Sequence, residues 1–340
     1  GGDGGAKLAI EYRDNVWMLK LPKSTKEYRV KQLSYTTSPL SEYLGSLIYA
    51  SLGLPVHETV LGTYGRKVVV ACKDFTFVNG VEASKIIPFH EIKNSFMSED
   101  ISAYSGTGSQ TLLEEVLAAI YHDSVLAQQE GVVERFWDMF VIDAFIGNND
   151  RNNGNWGLLK SFQDGSLTLA PVFDNGNSFF SKRGLAQMER RLKDIDLLHE
   201  DAYRVPTCVY KYVGYDNQEH QINPYTFMMR AQEPDCNAAL ERFMKRVNIN
   251  EICGLIDAIP EVFNDVIVMP QIQKDFYKSI LQIRFEEVFK PALATIREKT
   301  SAFSPQKRSE LAFEIERRAA IAREETGITA QDHEGKRFNR

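Results

Sequence analysis

At 340 residues, 43% hydrophobic and 25% charged, the chain has an ordinary globular composition and length enough for one bilobed domain or two smaller ones. A net charge of -6 argues against direct nucleic-acid binding, which usually shows as a basic domain. No apolar run approaches the roughly 18 residues of a membrane span, no signal peptide is visible, and the four cysteines form no C-x-x-C pair, as expected of reduced thiols in a cytoplasmic protein.

The first seven residues, GGDGGAK, are a glycine cluster in front of a strand-like run, Leu8 to Tyr12. Arg13-Asp14-Asn15 reads as a turn and Val16 to Leu21 as a second strand ending at Pro22, so the start is a hairpin with a glycine loop at its entrance. Such a loop lets backbone N–H groups approach phosphates; the bland alternative is a plain tail. Lys20 lies in the second strand between apolar neighbours, where an ammonium needs a partner or an outlet to water. A polar loop spans 23–38. A helix follows from Pro39 to Leu52, closed by Gly53, with Glu42 in its first turn: a residue suited to the helix dipole or to pairing with Lys20. Leu54 to Leu61 and Lys67 to Ala71 read as strands. The run Val68-Val69-Val70 marks a buried strand that exits into Cys72-Lys73-Asp74-Phe75. The order is ββαββ.

Residues 79–110 read as irregular, with a Ser/Gly loop at 102–110. Helices are expected over Thr111–Gln129 and Val132–Gly147, the second apolar on a wide face, with Asp138 and Asp143 in structural roles. The stretch GNNDRNNGNWGLLKSFQDGSLTLAPVFDNGNS follows. It holds Asp150, Asn155, two short strands around Gln163-Asp164-Gly165, and then Asp174. Beyond Lys182 the pattern is mostly helical: Leu185–Leu198, Pro224–Ala231, Asp235–Arg246, Ile249–Ile259, Asp275–Arg297 and Ser304–Glu325, with 203–223 irregular and a frayed end.

Glycine loop, strand lysine, helix glutamate, buried strand, helices, Asp-x4-Asn, hairpin and Asp is the order in which a protein kinase assembles its nucleotide site. Each part has a task. Loop amides cover phosphates, Lys20 neutralises them, and Glu42 holds Lys20. Asp150 aligns an attacking hydroxyl, while Asn155 and Asp174 offer hard oxygen ligands to magnesium. A helical protein with a polar hairpin and chance acids is the alternative, since Asp-x4-Asn alone is a common match.

GNNDRNNGNWGLL with LAPVFDNGNSFF resembles the catalytic core of the HipA-type serine/threonine kinases of bacterial toxin–antitoxin modules, with its N-D-x4-N and P-x-[FY]-D patterns. VWMLKLP and SEYLGSLIYASLGLPVHET resemble that family's lysine strand and helix. LGTYGRKVVVACKDF with FWDMFVIDAFIGNNDRNNGNWG is similar to a compact, secreted pro-inflammatory branch, the CtkA-type kinases. The resemblance implies an α+β, bilobed kinase fold: a β-rich N-lobe over 1–78, a helical C-lobe over 79–300 and a charged tail over 301–340. It implies ATP and Mg2+ as cofactors, with Asp150 catalytic beside Lys20 and Glu42, and Asn155 and Asp174 on the metal. Gly1, Gly2, Gly4, Gly5 and Lys7 would form the phosphate loop, and Lys73 and Phe75 the adenine linker. The implied partners are a protein substrate with a Ser/Thr acceptor and an antitoxin or other regulatory protein, with no membrane; the chain would act in the cytoplasm or as an exported effector. Autophosphorylation would fall in the 24–38 or 102–109 loop. Three departures stand out. No extra antitoxin-binding N-terminal subdomain is read here, the glycine loop lacks the family's regulatory serine, and Asn152 stands where longer members often carry His. Competing readings are a nucleotide-binding module that sequesters a protein, and a small-molecule phosphotransferase.

Overall fold

Turn chemistry builds the first sheet. The structure, a computed structural model, describes residues 6–26, 34–100 and 111–302. Strands β1 (Lys7–Tyr12) and β2 (Asn15–Lys20) pair antiparallel around Arg13 and Asp14, both at positive φ (49° and 56°). Two central residues at positive φ match the right-handed twist of a two-residue hairpin. Helix α1 (Ser38–Ser51) opens with Pro39, where a missing N–H costs nothing, and buries Leu40, Leu44, Ile48 and Tyr49. Strands β3 (Thr59–Tyr64) and β4 (Lys67–Lys73) complete a sheet of order β1-β2-β4-β3, with β4 central and Val69, Val70 and Cys72 buried.

The expected strand from Leu54 begins only at Thr59. Pro55 has no N–H to give a ladder. Its carbonyl instead accepts the Val172 amide (2.8 Å), and the Val172 carbonyl accepts the His57 amide (3.0 Å), which makes a parallel bridge of Val56 to Val172. The first lobe is thereby stitched to the segment that leads to Asp174.

Residues 79–100, expected to be irregular, are ordered. A small hairpin, β5 (Phe77–Val78) with β6 (Val81–Glu82), turns on Asn79 and Gly80. Strand β7 (Ser84–Pro88) and helix α2 (Phe89–Asp100) follow. Helix α3 (Leu113–His122) stops at Asp123, whose carboxylate accepts the amides of Val125 and Leu126 and starts a separate 3-10 turn. Helix α4 (Val132–Ile146), bounded by Gly131 and Gly147 at positive φ, is buried nearly all round, as its apolar content requires. Strands β8 (Gly157–Ser161) and β9 (Leu167–Leu169) form the expected hairpin, and β7 pairs with β8 to make it a three-stranded sheet.

The rest is helical: α5 (Leu185–Leu192), α6 (Ile195–His199) running into a π turn at Glu200–Arg204, α7 (Pro224–Arg230), α8 (Pro234–Arg246), α9 (Ile249–Asp257), α10 (Gln271–Arg284) with a π turn at Phe285–Phe289, and α11 (Lys290–Ala302). Two short hairpins interrupt it, β10 (Lys211–Val213) with β11 (Glu219–Gln221) and β12 (Val262–Phe263) with β13 (Val266–Ile267). The helix expected over Leu185–Leu198 breaks at Asp194, which caps α6 through the Leu197 amide. Asp138 pairs with Arg242 on α8 at 2.8 Å, a structural role as expected. The chain divides into two compact units, 1–293 and 294–340; of the second, the described residues are the helical 294–302.

Candidate active site

In the first unit, β2, α1, the 150–155 loop and the 173–177 turn converge on a cavity of about 340 Å³. Its lining includes Lys7, Lys20, Glu42, Asp150, Asn155 and Asp174. Six of the sequence-derived residues thus meet at one place.

Lys20 reaches it from the end of β2. Its Nζ stands 3.0 Å from Oε2 of Glu42 and 3.0 Å from Oδ1 of Asp174. Burial alone would lower the lysine pKa, but the two carboxylates outweigh it and hold the ammonium charged well above its usual range. Glu42 is 1% exposed. Burial pushes its carboxyl up; the Lys20 charge, and then His57, pull it well below the usual glutamate range. Its Oε1 accepts the Asp174 backbone N–H at 3.1 Å. Glu42 is therefore bound both to the lysine and to the main chain of the second acid. Oε2 of Glu42, 3.0 Å from Lys20 Nζ, and Nε2 of His57, 2.9 Å from Glu42 Oε1, make close polar contacts rather than aligned hydrogen bonds.

Asp150 follows α4 and Gly147. Its Oδ1 accepts from Nδ2 of Asn152 (3.0 Å) and its Oδ2 from Nδ2 of Asn177 (2.7 Å), so two amides aim the carboxylate. The amide of Asn155 donates to the Asp150 carbonyl at 2.7 Å. That bond uses the nitrogen and leaves the amide oxygen for another partner. Asp174 has φ +61°, the left-handed region, and its side chain is 38% exposed, so a carboxylate oxygen beyond the one held by Lys20 is available to a cation. An amide oxygen and a carboxylate are the hard donors a magnesium-type ion takes, and the residues present fit such an ion.

The loop is held by Asp143, in the structural role expected of it, and by Arg151, which the sequence reading did not single out. Arg151 is buried on Asp143, with Nε to Oδ2 at 2.8 Å. It also donates to the carbonyls of Asn155 (3.1 Å) and Phe173 and to Oδ1 of Asn175 (2.6 Å). One guanidinium thus fixes the loop of Asn155 and the turn of Asp174 together. Asp143 also accepts from Tyr49 and Asn148, which makes it the anchor of the loop. The only signal in sequence was position: Arg151 adjoins Asp150, and Asn177 lies in the same polar run.

Gly1, Gly2, Gly4 and Gly5 lie outside the described residues, as do residues 27–33 and 102–109 of the two serine-bearing loops. Lys73 and Phe75 are not brought to the cavity. The Lys73 side chain pairs with Glu58 at 3.5 Å, its N–H goes to the Glu58 carbonyl, and the Phe75 ring rests 5.7 Å from that of Phe173, a lining residue. Glu42, His57 and Cys72 cluster tightly enough to suggest a buried metal site. The Lys20 ammonium already takes that carboxylate, and burial pushes the Cys72 thiol up to about 12, away from the thiolate a metal needs.

No family model matches the chain. It is 34% identical over 288 residues to the serine/threonine-protein kinase CtkA of Helicobacter pylori, which spans 85% of this chain and 82% of that protein. The crystal structure of the Helicobacter pylori proinflammatory kinase CtkA superposes with TM-score 0.74 at 32% identity, covering 88% of this chain and 94% of that one. HipA of Shewanella oneidensis MR-1, solved with HipB and operator DNA, superposes with TM-score 0.51 at 15% identity over 87% and 68% of the two chains, a likeness of fold.

Proposed function

The chain belongs to the CtkA-type serine/threonine-protein kinases, on the HipA-like fold, and from that premise we propose that its cavity binds ATP with magnesium and that Asp150 directs a protein hydroxyl at the γ-phosphate. A kinase of this class uses ATP, a divalent cation and a protein acceptor. The observation that carries the residue assignment is the joint geometry of Lys20, Glu42, Asp150, Asn155 and Asp174 around one cavity.

In the proposed reaction Lys20 takes the α/β-phosphate charge. Asp150, aimed by Asn152 and Asn177, accepts a hydrogen bond from the acceptor hydroxyl. The hydroxyl oxygen bonds to the γ-phosphorus, the bond from that phosphorus to the β–γ bridging oxygen breaks, ADP leaves, and Asp150 takes the hydroxyl proton. Asn155 and Asp174 would hold the cation, which would neutralise phosphate charge. The phosphate-loop role of residues 1–7 and the adenine role of Lys73 and Phe75 belong to this proposal as family inferences. A second cavity of about 410 Å³ shares Asn177, Ser181 and Lys182 with the first and is the proposed seat of the acceptor chain. HipA is seen with HipB; an antitoxin-like regulatory protein is the partner class to seek here by co-purification. Among the described residues no helix is long and apolar enough to cross a membrane; action in the cytoplasm or as an exported effector is part of the same proposal.

The test is transfer from γ-labelled ATP to a lysate. Asp150→Ala is expected to lower turnover by about 10²–10⁴-fold, the usual worth of a positioned acid–base group, while ATP affinity persists. Undiminished transfer by this variant would remove Asp150 from the mechanism.

A further inference from the structure

His57 lies between α1 and β3 and is 6% exposed. Its Nε2 stands 2.9 Å from Oε1 of Glu42, the oxygen that also accepts the Asp174 amide. Its own backbone N–H is bonded to the carbonyl of Val172, two residues before Asp174. We propose that His57 is a positioning residue for phosphoryl transfer: it fixes the plane of the Glu42 carboxylate so that one oxygen stays on the Asp174 main chain and the other on Lys20.

The physical reason is the terminal torsion of glutamate. It is broad and two-fold, so the carboxylate plane is set by partners rather than by a rotamer well. With Lys20 alone as a strong partner, the group turns to offer the ammonium both oxygens and weakens its hold on the Asp174 amide. His57, against Oε1, opposes that turn. An ionised carboxylate only accepts, so the ring can steady Oε1 across this 2.9 Å contact when Nε2 is in its N–H form. The backbone bond to Val172 is available to glutamine and asparagine at position 57 alike, which separates the ring's task from that of the main chain. The inference rests on the roles proposed above for Lys20 and Asp174.

Two near-isosteric substitutions test it. A glutamine amide nitrogen can reach the place of Nε2, and an asparagine amide nitrogen only that of Nδ1. His57→Gln is expected to transfer phosphate within about twofold of the unaltered protein. His57→Asn is expected to lose about tenfold in kcat/KM for ATP, the lower end of what an outer partner of a functional group is worth. Affinity for a non-hydrolysable ATP analogue with magnesium, read by fluorescence titration, should fall in His57→Asn and be restored in His57→Gln. Equal activity and affinity in the two variants overturns the proposal, whether both match the unaltered protein or both lose alike with a common drop in melting temperature. The unaltered protein and Asp150→Ala are measured alongside. Absence of transfer by the unaltered protein would strike the kinase reading itself, whereas the analogue titration still judges His57.

Discussion

Glu42 serves a lysine, a main-chain amide and an imidazole from a site 1% exposed. Glu42→Gln leaves Lys20 beside Asp174 alone and is expected to cost about 3 kcal/mol, the lower end for breaking a buried pair, read from urea midpoints. Its pH signature has a definite sign. The folded-state pKa lies below the ordinary value of 4.5, so Glu42 contributes stability above that pH and the contribution is lost as pH falls below it. The melting temperature of the unaltered protein should therefore drop more steeply below about pH 4.5 than that of Glu42→Gln. Asp174 leads to a second expectation. Its Oδ1 is engaged by Lys20, so a divalent cation alone meets a partly neutralised acid. In the role proposed for Lys20, nucleotide phosphates would draw the ammonium away. Manganese affinity should rise when ADP is present, and ADP affinity should rise by the same factor with manganese, since binding linkage is reciprocal. Equal manganese affinities with and without ADP would contradict this.

At the scale of elements, α1 and the 173–177 turn pack without slack. A Cβ on Gly45 would lie 2.8 Å from that of Asn175, the residue that also bonds Ser46 and Arg151. Alanine is favoured over glycine inside a helix by about 1 kcal/mol, yet overpacking of this kind costs about 1–3 kcal/mol. Gly45→Ala is expected to displace the Asp174 turn and reduce transfer more than it reduces melting temperature. The residues of this cavity that were legible in the sequence, Lys20, Glu42, Asp150, Asn155 and Asp174, are those whose proposed chemistry fixes residue type and order. His57 and Arg151 were not, because a buried histidine or arginine announces its partner only once folding has brought it near. Strand β7 escaped for a similar reason: its partner β8 is some seventy residues away, and Gly157, whose added Cβ would stand 2.1 Å from the Ile87 carbonyl, marks the crossing only after the pair is known. Helix ends at Asp123 and Asp194 were hidden by apolar periodicity that continues past each local side-chain bond.

For the whole molecule, the ββαββ start, the hairpin of β8 and β9 and most helices of the described residues beyond 182 were readable, since periodicity and turn residues report local structure, while the helix expected over Ser304–Glu325 lies outside the described residues. How the two lobes meet was not readable. The exchange of bonds between Pro55, His57 and Val172 is main-chain to main-chain and independent of side-chain identity apart from the proline. It has a thermal consequence. A lobe sewn to its neighbour by backbone bonds does not melt by itself, so the first unit should give one calorimetric transition rather than two. The amides of His57 and Val172 should exchange with deuterium at the rate of the buried strand β4, as members of one cooperative block. Nucleotide at 100 times its dissociation constant adds about 2.7 kcal/mol to whatever unfolds as a unit with the site. That protection should appear at the far edge of the sheet as fully as in the pocket, so that the kinase reports an occupied site through the heat resistance of its entire frame.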